Sequence, residues 1–355
     1  MARACGVFVI EFSLGMGPRI LSHVSGRSGT RYSWKLLPFG GSCMMKGEDE
    51  TSLQAEDGGG KLPEEGSQST EGRITPAEKG TRRDSFSDKK VWQRMLIVAA
   101  GPVFNFFLAF LFALFLIGAV GYDPPVALKV SEGFPAKEAG VKPGDTITRL
   151  GSSGIEVYRD IPDYVLFHQK LMASGKKLRI DWVHEGEKKS SFILPKQAED
   201  GRYLIGIVGT SNYRTRGNVF QVIRYSAVEV GYWIRTTIGS LGMIFRGQVT
   251  ADDVSGPVGV VKAIGNTVEE TKSDGVFYVW LNLLQISILL TANLGVMNLL
   301  PFPALDGGRL LLLVIEAVRR KKMDPKIEAA INYAGFMILM GLMVFVMMND
   351  TRKLF

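Results

Sequence analysis

Histidine and cysteine are both scarce: the 355 residues hold three histidines and two cysteines. The thiols, Cys5 and Cys43, form no CxxC pair and stand on the same side of the first long apolar run, which argues against a structural disulfide and a thiolate metal site. His23, His168 and His184 fall in a predicted loop or strand, a predicted helix and a predicted hairpin, and read as solvated surface side chains. HExxH is missing. His184 and Glu185 are followed by Gly186, Glu187 and Lys188, so no stretch sets two imidazoles on one helix face with a Glu to activate water. The N-terminus has no charged stretch leading into an apolar core and a small-residue cleavage site, so no signal peptide is expected. The formal charge of +7, from 42 Lys and Arg against 35 Asp and Glu, comes with no basic stripe or helix-turn-helix pattern, and nucleic acid is not an expected partner.

Charge is also missing from three long runs, and here the absence is the signal. A helix needs about 20 apolar residues to cross a hydrocarbon layer of roughly 30 Å. Segments 96–121, about 279–300 and 329–348 meet that requirement without a charged residue. Lys89, Lys90 and Arg94 precede the first run, and Arg319, Arg320, Lys321 and Lys322 lie between the second and third. Basic flanks face the cytoplasm, which puts Tyr122 to Tyr278 and the C-terminal tail outside. The lipid bilayer is the expected partner, and the excess positive charge is explained by the flanks.

Between the runs the pattern changes. Residues 1–46 alternate apolar and polar positions, as short strands do. Residues 47–90 are rich in Gly, Ser, Glu and Lys and read as a disordered cytoplasmic linker, since they offer too little apolar surface to offset ordering. Residues 122–210 read as a small α/β domain, with a helix over 160–174 and a hairpin tipped by Glu185 and Gly186. The segment 217–278 begins with aromatic and aliphatic residues interleaved with Arg224 and Arg235. It reads equally well as an interfacial amphipathic segment or as helices packed on the small domain.

The densest cluster of helix-breaking residues is NLLPFPALDGG, Asn298 to Gly308, where the second membrane segment, 279–308, ends. Broken backbone at membrane depth survives only where protein or a cavity satisfies it. An ionisable residue there, Asp306, is a functional-site candidate, because a carboxylate is an ordinary zinc ligand. The alternative is that Asp306 caps the following helix, GRLLLLVIEAVRR.

This run resembles the NxxPxPxLDGG motif of the site-2 proteases, a family of intramembrane zinc metalloproteases, with Asn298, Pro301, Pro303, Leu305, Asp306, Gly307 and Gly308 all in place. Gly101, Pro102 and Asn105 are similar to the family's GPxxN element. TRYSWKLLPFGGSCMMKGEDE resembles its membrane-associated β-hairpin, GFPAKEAGVKPGDTITRLG the start of an inserted PDZ domain, and SGPVGVVKAIG a Gly-Pro segment before the penultimate span. The bacterial branch, which includes the regulator-of-sigma-E protease, has these in the same order. The resemblance covers nearly the whole chain except the linker.

The implied fold is a multi-pass α-helical membrane protein with three spans in this chain. A small PDZ-like α/β domain lies between the first two, and a short β-hairpin region stands at the N-terminus. The implied cofactor is Zn2+, with Asp306 as its third protein ligand. Asn293, Asn298, Pro301, Pro303, Gly307 and Gly308 would line the active site, and the two asparagines would hydrogen-bond an extended substrate backbone, the alternative being hydrogen bonds between helices. The implied substrates are membrane proteins or peptides such as anti-sigma factors or remnant signal peptides. On family spacing the two imidazoles would fall about three and about seven residues before Met1. The expectation is therefore a chain that starts just after the catalytic helix and is inactive as written. The alternative is a non-cleaving, PDZ-containing membrane adaptor.

Overall fold

A computed structural model of the chain describes residues 1–26, 28–47, 85–151, 153–154, 161–198, 201–208, 215–247 and 256–352. Most of the expected linker, residues 48–84, lies outside them. The chain divides into two compact units: Met1–Gly101 with Leu299–Phe336, and Pro102–Asn298 with Met337–Phe355.

In the first unit the strands Val9–Val24 and Arg31–Met45 pair with each other. Each is used twice: Phe12 pairs with both Cys43 and Tyr32, and Trp34 with both Leu14 and Leu21. Four short segments result, and their burial is inverted relative to a soluble sheet. Glu11, Ser13, Ser33 and Lys35 are buried, while Phe12, Leu14, Ile20, Leu21, Trp34 and Leu36 are exposed. Glu11 is only 4% exposed and accepts from Arg19 at 3.0 Å. An apolar face turned outward costs nothing where the solvent is hydrocarbon, and polar groups turned inward must then find partners within the protein. Val7, Val9 and Met45 pack with Ile97 at the start of the next helix.

That helix, Val91–Val120, is the first of three among the described residues that are long enough and apolar enough to cross a membrane, with Val276–Asn298 and Lys326–Arg352. All three expose large apolar side chains, among them Phe104, Phe107, Leu290, Leu294, Ile338, Leu342 and Phe345. Such surface needs a non-aqueous solvent. The chain is thus a multi-pass helical membrane protein with an N-terminal β-hairpin and a small α/β domain between its first two spans.

In the second unit that domain has a four-stranded sheet. Strand Thr146–Leu150 pairs with Ser153–Gly154 and Leu178–His184, and the latter with Glu187–Ile193. Ile147, Leu150, Tyr164, Met172, Ile180 and Ile193 form its core. Glu185 and Gly186 both have positive φ at the tip of the last hairpin, as a tight two-residue turn requires. The single helix expected over 160–174 is instead two, Ile161–Phe167 and Gln169–Met172, broken at His168 with φ −110° and ψ 26°. The His168 ring stacks on Tyr164, 4.2 Å between centroids, and its Nδ1–H donates to the Tyr164 carbonyl at 2.9 Å. His184 Nδ1 lies 2.6 Å from the buried Asp145 carboxylate. Two histidines read as solvated are therefore engaged, because each has a polar neighbour distant in sequence or across a helix turn.

In sequence, the segment 217–278 is open between an interfacial stretch and packed helices. It contains helices Val219–Phe245 and Pro257–Lys272. The first opens with a capping box, Asn218 and Gln221 each accepting from the other's backbone N–H at 2.9 Å, which satisfies two otherwise orphaned donors. Val230, Trp233 and Ile234 pack with Ala109, Ala113, Leu281, Ile288 and Ala292 of two spanning helices. Arg235, on the same helix, reaches Asp163 of the small domain at 3.7 Å and lies over the Phe167 ring. Gly256 and Gly259, at the start of the second helix, donate backbone N–H to Asp350 at 3.0 and 2.8 Å.

Candidate functional site

The second spanning helix stops at Asn298, short of the 308 boundary read from sequence, because Pro301 and Pro303 cannot donate to a continuing ladder. The chain then turns tightly. Phe302 N–H donates to Leu300 O at 2.7 Å and Leu305 N–H to Phe302 O at 3.2 Å. Ala304 sits at φ +72°, a region that disfavours any side chain. A new helix, Asp306–Arg319, follows at once.

Leu305 is the N-cap of that helix, and Asp306 is its first residue. Capping therefore does not explain the aspartate. Gly307 and Gly308 are buried, and a Cβ on either would collide with backbone: Leu299 and Leu300 at Gly307, Phe302 at Gly308. The two glycines let the first helical turn lie directly against the preceding loop.

Two other helices shape this turn within the first unit. A Cβ built on Gly101 would stand 3.2 Å from Asp306 Oδ2, so the glycine of the first spanning helix admits the carboxylate. Arg94, on the same helix, forms a buried ion pair with Glu316 of the new helix. Gly335 meets Pro303 so closely that no side chain would fit. Asn332 Oδ1 accepts from Ala304 N–H at 3.4 Å, supporting the strained residue.

The structure thus brings Gly101, Pro301, Pro303, Asp306, Gly307 and Gly308 into one unit. Pro102, Asn105, Asn293 and Asn298 belong to the other. Pro102 is buried and Asn105 and Asn298 are half-buried. The Asn293 side-chain carbonyl accepts from the Thr237 hydroxyl on the neighbouring helix, a helix-to-helix bond of the kind that membrane interiors favour. Gly295, one turn before the break, faces the Phe106 ring, which would lie 2.6 Å from an added Cβ.

Zinc chemistry at Asp306 can be tested against its neighbours. A catalytic zinc takes three protein ligands and a water. Among the described residues no three His, Cys, Asp or Glu side chains are grouped to hold a metal. Asp306 supplies one carboxylate, and these residues alone do not fit a zinc ion. Sequence reasoning missed Arg94, Glu316, Asn332, Gly335 and Thr237. One signal was available: Glu316 is the only charge in LLLLVIEAV, and a lone acid in so apolar a run needs a partner.

The family model for peptidase family M50 matches residues 1–342. The chain belongs to peptidase family M50. It is similar to the zinc metalloprotease RasP of Bacillus licheniformis, 31% identical over an alignment taking in 100% of this chain and 94% of the relative. The regulator of sigma-W protease RasP of Bacillus subtilis is 29% identical, again over 100% and 94%. A putative zinc metalloprotease of Agrobacterium fabrum is 29% identical over 100% and 90%. Among solved structures, the PDZ domain of the SdrC-like protein from Listeria monocytogenes matches 26% of this M50 chain and 92% of its own length, at 18% identity and a TM-score of 0.22.

Proposed function

We propose that this M50 chain works in intramembrane proteolysis: zinc-dependent hydrolysis of a peptide bond within or beside a membrane segment of another protein. The meeting of Asp306 with Gly101 carries the reading. It brings the glycine that opens the GPxxN motif beside the carboxylate of the LDGG motif, far from it in sequence, and no helix-capping role employs that carboxylate. Asp306 is assigned as a metal ligand. The remaining donors are not among the described residues.

Asn298 and Asn293 are assigned to the backbone of an extended substrate. The contact with Thr237 engages one end of the Asn293 side-chain amide and leaves the other end for the substrate backbone. Pro301 and Pro303 shape the loop between them and Asp306. Anti-sigma factors and remnant signal peptides are the proposed substrates, the former supported by a relative named regulator of sigma-W protease. We assign 1–46 to a membrane-associated β region, on its outward apolar face, and 122–210 to an extracytoplasmic PDZ-like domain, with the linker 47–90 in the cytoplasm.

The incomplete ligand set favours one other reading, a membrane adaptor that binds protein tails without cutting them. Zinc content and cleavage of a membrane-embedded peptide separate the two. The protease reading expects chelator-sensitive cleavage by the protein from its native membranes, whereas the 355 residues expressed alone should bind zinc weakly or not at all. Native protein that neither cleaves nor holds stoichiometric zinc would establish the adaptor.

A further inference from the structure

Two contacts join helix Val91–Val120 to helix Asp306–Arg319 within the first unit, and they run antiparallel. Arg94 meets Glu316, and two turns further along the first helix Gly101 meets Asp306. What fixes this register is not the apolar surface. Leu310 to Leu313, Val314 and Ile315 follow one another without interruption, and side chains so alike pack almost as well after a shift along the axis. Glu316 and Arg94 are different. Each is only 7% exposed, and any slip would leave two charges buried without partners, which is heavily penalised. Fixing register is the best-attested use of a buried polar pair.

We propose that Arg94 and Glu316 are positioning residues, which set the register of the Asp306–Arg319 helix and thereby hold the Asp306 carboxylate against Gly101. The inference rests on the assignment of Asp306 to the active site. A one-residue slip moves that carboxylate about 1.5 Å along the helix axis, and misplacement by about 1 Å is enough to cost a reacting group on the order of 100-fold in rate. Arg94 therefore differs from Lys89 and Lys90, with which it shares the basic flank in sequence: its guanidinium is spent on Glu316 rather than on the membrane surface.

The test places cysteines at Gly101 and Asp306 in a chain carrying Cys5→Ser and Cys43→Ser, in membranes, and follows cross-linking under a mild oxidant. The Gly101→Cys/Asp306→Cys pair should cross-link readily with Arg94 and Glu316 present. It should do so at least about tenfold more slowly with Arg94→Met/Glu316→Leu, which keeps the volume and removes the charges. A merely stabilising pair would lower the thermal transition and leave cross-linking of the folded fraction unchanged. That outcome, or no cross-linking in the reference chain, overturns the proposal. If the Met/Leu variant does not fold, judged by its transition in detergent, Glu316→Gln replaces it, and unchanged cross-linking there is equally contrary. Cysteine stands in for Asp306 throughout, so the outcome depends on neither metal nor cleavage. Failure of the protease reading shows separately, in the zinc and cleavage assay.

Discussion

Gly101 lies so close to Asp306 that a methyl group on the glycine would stand 3.2 Å from the carboxylate Oδ2. At that separation the neighbour must give by a few tenths of an ångström. Alanine is about 1 kcal/mol better than glycine inside a helix, so Gly101→Ala should leave the thermal transition unchanged or higher. Cleavage should nonetheless fall several-fold, since small displacements at a reacting centre are expensive. Gly101→Leu should abolish it. Parallel cleavage assays and thermal melts check the dissociation, and a Gly101→Ala variant with full activity would show that the close approach is incidental.

The glycines after Asp306 should behave differently. A Cβ on Gly307 or Gly308 meets backbone rather than a movable side chain, so Gly307→Ala and Gly308→Ala should each destabilise by about 1–3 kcal/mol, as overpacking does. Thermal unfolding in detergent reads this directly, and a transition unchanged within error would contradict the packing described for the turn.

Thr237 and Asn293 form a bond between two helices of the second unit. Such bonds contribute about 0.6 kcal/mol on average, up to about 1.7. A double-mutant cycle of Thr237→Val and Asn293→Leu should return a coupling in that range. Asn293→Leu should in addition raise KM, whereas Thr237→Val should not, if the asparagine amide also holds substrate. Equal kinetic effects of the two variants would assign Asn293 to structure alone.

Topology gives another test. Asp350 accepts from Gly256 and Gly259, so the end of the third spanning helix and the start of helix Pro257–Lys272 share one side of the membrane. On the orientation proposed from the basic flanks, that side is the outside. A tag near Gly186 should be accessible in intact cells, and one near Gly59, beyond the described residues, only after permeabilisation. The reverse pattern would refute the orientation. Asp350→Ala should cost about 1–3 kcal/mol by leaving one buried and one half-buried backbone donor unsatisfied.

How much of this was legible in the sequence follows from range. The three spans were readable because an uncharged run of 20 residues is a local property, and the hairpin tip because Glu185 and Gly186 advertise their turn. The helix around His168 was read as continuous because its break depends on a ring stacked on Tyr164, which no periodicity encodes. Asp306 stood out by its proline and glycine company. Its neighbours did not: Arg94 was indistinguishable from an ordinary flanking charge, and Asn332 and Gly335 looked like any polar and small residue in a spanning helix. Their roles arise only when separate segments meet: Arg94 and Glu316 are 222 residues apart in sequence, and Asn332 is 28 residues from the Ala304 N–H it accepts from.

The assignment of Asp306 to a metal is tested most directly by replacing it in protein taken from native membranes and measuring cleavage of a membrane-embedded peptide. Asp306→Ala should abolish cleavage, and Asp306→Asn should do the same, because a neutral amide is a poorer ligand for the dication than a carboxylate. Asn298→Ala should slow turnover without releasing zinc. Full cleavage by Asp306→Ala would contradict the central claim and leave Asp306 as a residue of the turn alone.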